Sequence, residues 1–247
     1  MPHLYRSHIF DHLGLVAAMC DALGLGEVID RATRHQPATR IVTTGDAVNA
    51  MVLNGLGCVN QHLYVVPRLF QDQPPSRLLA PWLIEAHQLK DEALGRALDT
   101  LDDDDVTALS RLSAATAAER LGLAPRVAPL ERTSCHGDGH YHSGEEPAEQ
   151  VVHSTRGSSR DHRPDRTHVR LEWIIEHQAG LPVLMKPLRG HRRDVQAFGQ
   201  VVSAPMAQLH TTDGTTDLVA DRALSRDANL QPLANTQRTW MTRVPAT

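Results

Sequence analysis

Apolar residues recur at helical spacing from the start of the chain. Ile9, Leu13, Val16, Ala17 and Cys20 line one face, and Gly24 and Gly26 supply a stop. A second helix is expected after Thr44, with Ala47, Val48, Met51, Val52 and Leu56 on its apolar face. Pro67, Pro74 and Pro75 then break the chain. A third helical stretch covers about residues 91–121, interrupted near Asp102-Asp103-Asp104-Asp105. That acidic run lacks the alternating ligands and closing glutamate of a calcium loop, so it reads as a solvated turn or helix start.

The pattern changes at residue 126. Val127 to Leu130 begins a strand. Val169 to Glu176 opens with apolar–polar alternation, and Leu181 to Leu188 follows it across an Ala179-Gly180 turn. Helical spacing returns over 194–210. Leu218-Val219-Ala220 is a short buried-type strand, a weaker helix covers about 225–236, and a last strand runs from Trp240 to Val244. Trp173 and Trp240 fall on these strands and are read as core. Strands and helices in this order predict an α/β fold: a helical N-terminal domain, 1–125, then a mixed-sheet domain, 126–247.

Charge separates the same two parts. Residues 1–125 hold 10 Lys+Arg against 15 Asp+Glu, whereas residues 126–247 hold 15 against 14. Nine basic side chains against four acidic ones concentrate between Arg156 and Arg193. A local positive segment of this kind suits phosphate contacts, which release counterions, although it also fits a solvated basic surface. Cys20, Cys58 and Cys135 are odd in number and far apart, which argues against a disulfide framework. No apolar run approaches the roughly 20 residues of a membrane helix, and no secretory leader pattern opens the chain. A soluble, cytoplasmic protein is expected.

Two acids stand after short apolar strands. Glu131 follows Val127–Leu130, and Asp221 follows Leu218–Ala220. Carboxylates carried on separate strands can hold divalent cations, and Mg2+ or Mn2+ suits all-oxygen ligands. An acid after a strand is otherwise a turn former or helix cap. Between the two lies Gly157-Ser158-Ser159-Arg160-Asp161-His162-Arg163-Pro164-Asp165. Arg160 and Arg163 there are suited to bidentate phosphate contact, or to ion pairs with Asp161 and Asp165. Cys135, His136, His140, His142 and His153 offer a competing zinc set, but their spacing matches no paired-ligand knuckle, and they read as loop histidines. Ser134 near His136 lacks the glycine pattern of a nucleophile elbow.

The order of residues 157–165, Pro187-Leu188-Arg189-Gly190 with Asp194, and Leu218 to Leu224 resembles a DDE-type insertion-sequence transposase. The likeness is to the insertion sequence four group, in a branch whose helical N-terminal region matches residues 4–64. Tyr5-Arg6-Ser7-His8 and Leu53-Asn54-Gly55-Leu56-Gly57 carry that match. The resemblance implies a ribonuclease-H-like catalytic domain that cuts and rejoins DNA with three metal-binding acids. Glu131 and Asp221 would be catalytic metal ligands, Arg160 and Arg163 would position DNA, and the partners would be transposon ends, with a homo-oligomer allowed.

This chain departs from that family at named positions. The first acid is normally aspartate in an Asp-x-Thr context, against Glu131-Arg132-Thr133 here. His191 replaces an asparagine, and Ser158 replaces a tyrosine. The third acid, a downstream glutamate, finds no place before Thr247. A truncated, degenerate copy with an incomplete ribonuclease-H-like domain is therefore expected, inactive alone. The alternative is a noncatalytic DNA-binding or dimerising remnant.

Overall fold

The computed structural model describes residues 9–33, 40–56, 62–79, 85–123, 127–137, 155–156, 166–189, 217–220 and 239–242. The chain divides into two compact units, Met1–Leu121 and Gly122–Thr247.

The first unit is helical, with α1 (Leu13–Leu23), α2 (Leu25–Ala32), α3 (Thr44–Leu56), α4 (Val66–Asp72), α5 (Pro75–Leu78), α6 (Asp91–Asp103) and α7 (Val106–Arg120). Short 3-10 turns cover Leu63–Val65 and Ala86–Gln88. Gly24 ends α1 in the left-handed region at φ 70°, where its N–H returns to the Cys20 and Asp21 carbonyls. Gly26, expected to share that stop, instead lies inside α2. The prolines start helices as well as separate them: Pro67 stands in the first turn of α4, and Pro75 opens α5. Proline lacks an N–H that the first turn would leave unbonded anyway. The acidic run divides α6 from α7 as the sequence predicts. Asp105 caps α7, accepting from the Thr107 and Ala108 N–H groups at 3.0 Å each.

Helix α3 buries a different face from the expected one. Ala47, Ala50 and Leu53 are in the core, Val48 and Val52 are only half-buried, and Leu56 is 59% exposed. Small residues decide this. A Cβ on Gly45 would come within 2.7 Å of the Gly26 Cα, so α2 and α3 touch backbone to backbone through glycine. The α3 N-terminus is held by side chains: Thr43 Oγ1 accepts from the Asp46 N–H at 3.0 Å, and Asp46 Oδ2 accepts from the Thr43 N–H at 3.2 Å. Asp30 Oδ1 accepts from the Gly45 N–H at 2.7 Å, tying α2 to the same turn. Around this crossing, Leu53, Val66, Phe70, Leu89 and Leu94 form the centre of the core, each at most 1% exposed.

Glu27 links α2 to α7. Its carboxylate meets Arg120 at 2.6 Å and Arg31 at 2.5 Å. The Arg120 hydrogen bond, with the Arg31 charge behind it, holds the Glu27 carboxyl below the usual glutamate range. A depressed folded-state pKa contributes stability that is present above the unfolded pKa and is lost as pH falls through the folded one. Urea midpoints of wild type and Glu27→Gln are therefore expected to differ at about pH 7 and to converge near pH 3. A difference that survives at the acid end would exclude the ion pair as its source. All three side chains are substantially exposed, so the difference is small.

Among the described residues, the second unit is a six-stranded mixed sheet: β1 (Val127–Gly137), β2 (Thr155–Arg156), β3 (Thr167–Ile175), β4 (Pro182–Arg189), β5 (Asp217–Ala220) and β6 (Thr239–Thr242). β3 pairs antiparallel with β1 on one side, and with β4 and the two-residue β2 on the other. β5 runs parallel to β1, and β6 parallel to β5. The expected helices over 194–210 and 225–236 lie outside the described residues. Gly180 turns the β3–β4 hairpin at φ 70°.

Two sequence expectations change here. β1 continues to Gly137 instead of ending near Leu130, because its pairing with β3 extends from Leu130↔Ile174 to Gly137↔Thr167. Cys135 and His136 therefore belong to a strand, not a loop. Trp240 is not core: it sits on β6 at 43% exposure, whereas Trp173 is half-buried in mid-sheet.

Candidate functional site

The site expected from sequence centres on Glu131 and Asp221. Glu131 occupies the fifth position of β1, opposite Trp173 of β3, which in turn pairs with Met185 of β4. It is not at a strand end, as expected, but inside β1, which continues to Gly137. On its other side, the described pairing of β1 with β5 runs from Val127↔Asp217 to Leu130↔Ala220. Beyond Leu130, the described pairing of β1 is with β3 alone. Asp221 is the next residue in sequence after Ala220 and lies outside the described residues, as do Arg160 and Arg163.

Side chains alternate across a sheet, so each register level fixes which positions share a face. Asp217 and Val219 of β5 share theirs with Val127 and Pro129 of β1, and position 131 continues that set. Asp217 is half-buried, and its carboxylate accepts from the Thr239 hydroxyl, which fastens β5 to β6 near the start of both strands. Thr133 and the exposed Cys135 continue the same face along β1.

Sequence patterning does not anticipate the opposite face of β3. His168, Glu172, Ile174 and Glu176 are all buried, at no more than 1% exposure. An alternation normally read as polar side outward thus runs polar side inward. Register explains part of it: Glu172 pairs with Arg132 on one side and Lys186 on the other, which places an acidic position between two basic ones on three adjacent strands. Glu176 is satisfied locally, accepting from the Gln178 N–H at 2.5 Å and the Ala179 N–H at 2.7 Å. The only signal in the sequence is that opposite charges recur at paired positions, and this becomes legible only once the register is known.

Of the alternative zinc set, Cys135 is exposed, His136 lies in β1 opposite His168, and His140, His142 and His153 lie outside the described residues. Among the described residues, no three His, Cys, Asp or Glu side chains converge as a metal-binding group. Nor does any described helix have the length and apolarity to cross a membrane. Cys20 is buried in α1, and that burial, with Asp21 beside it, pushes its thiol above the usual cysteine range.

Comparison with known proteins places the helical part first. Residues 5–114 match the family model of a domain of unknown function, DUF4277. No curated protein matches the chain. Among solved structures, the chain is similar to one described as "Mos1 transposase paired-end complex with left transposon end". The identity is 8% and the TM-score 0.29, over 85% of this chain and 60% of that one. The chain thus spans less than two thirds of that structure's length.

Proposed function

We propose that this protein is a transposase-type DNA-processing protein whose sheet unit is a degenerate, ribonuclease-H-like DDE domain of the insertion sequence four group. One observation carries the reading: the parallel pairing of Leu130 with Ala220, the residues that immediately precede Glu131 and Asp221. Adjacent parallel strands carry the next residue of each to neighbouring positions, so Glu131 and Asp221 would stand side by side at the level after Leu130 and Ala220. Both acids follow the last described level of the β1–β5 pairing.

The donor set suits a hard divalent cation, because carboxylates are oxygen ligands of the type that Mg2+ or Mn2+ prefers. Glu131 and Asp221 would hold it. Bound there, divalent ions would stabilise charge on the attacking and leaving oxygens of a phosphodiester. Arg160 and Arg163 would hold the DNA backbone through paired N–H donors while water or a strand-end hydroxyl approaches phosphorus.

One feature of this chain weakens the chemistry. Glutamate at 131 is one methylene longer than aspartate, in a kind of site that tolerates only about 0.5 Å of misplacement. The protein is therefore expected to bind duplex DNA without cutting it.

A labelled duplex titrated across salt concentrations, with Mg2+ or Mn2+ present, tests both statements. Binding should weaken steeply with salt. Arg160→Gln with Arg163→Gln should reduce the log–log slope by about 2, since each neutralised phosphate accounts for about 0.9. Absence of binding even at low salt would remove the DNA reading. Robust cleavage that Asp221→Ala abolishes would overturn the expected inactivity.

A further inference from the structure

We draw no further inference here: the strongest candidate, the exposed apolar face of α1 formed by Leu15, Ala18, Met19 and Ala22, carries none, because nothing in the structure shows what covers it.

Discussion

Gly45→Ala is expected to destabilise the helical unit by about 1–2 kcal/mol net, the roughly 2–3 kcal/mol of forcing a methyl group into a packed interior less what alanine returns in helix propensity. The added Cβ meets the Gly26 backbone, which has no rotamer to escape into. Relief requires α3 to move away from α2. That shift would stretch the Asp30–Gly45 hydrogen bond and loosen the packing of Ala47 and Ala50. The helix propensity of alanine works in the opposite direction by about 1 kcal/mol, so the steric term exceeds the net loss by that amount. Gly95→Ala is the matched control: it lies within α6 with nothing inside 4 Å of a new Cβ. It should raise stability by roughly 0.5–1 kcal/mol. Thermal melts of the two variants moving in the same direction would refute the glycine contact as the element that sets the α2–α3 distance.

Glu176→Gln should cost about 2 kcal/mol locally at the β3–β4 hairpin, the penalty for replacing one charge-assisted acceptor by a donor. Each carboxylate oxygen of Glu176 receives a different backbone N–H, from Gln178 and Ala179. An amide has a single oxygen, so one N–H must then face an NH2 group in a site with no solvent exposure. Amide exchange at Gln178 and Ala179 should accelerate about 30-fold, while the β1–β3 amides change less. Unchanged exchange at both residues would show that the hairpin is held by Gly180 and the strand pairing instead.

These two sites also mark what the sequence could and could not reveal. Helices α1, α3, α6 and α7 were legible, because long periodic segments and Asp105 mark their extent. The buried face of α3 was not, since it is chosen by the close approach of Gly26, a residue that periodicity assigns to a stop. Strands β3, β4 and β5 were legible from apolar runs and the Ala179-Gly180 turn. The full length of β1 was hidden because Glu131 to His136 is largely polar, and its pairing with β3 keeps it extended. The inward polar face of β3 was hidden for a related reason: a buried Glu176 satisfied by its own turn looks like a solvent-facing acid in sequence. Of the candidate site, the two strands were legible in the sequence, and the roles of Glu131 and Asp221 belong to the proposal. The level pairing of Leu130 with Ala220 needed the sheet.

That pairing has a kinetic side. β3 and β4 meet across a tight turn, so they can associate early, and β1 can then add to β3 over a modest separation. Joining Leu130 to Ala220 instead closes a loop of about 90 residues for four register levels, an entropic cost met late in folding. Until β5 docks, β1 keeps one edge without a neighbour over Val127–Leu130, open to strands from other chains. Nascent protein is thus most exposed to misassembly at the edge where the proposed acids would later come together.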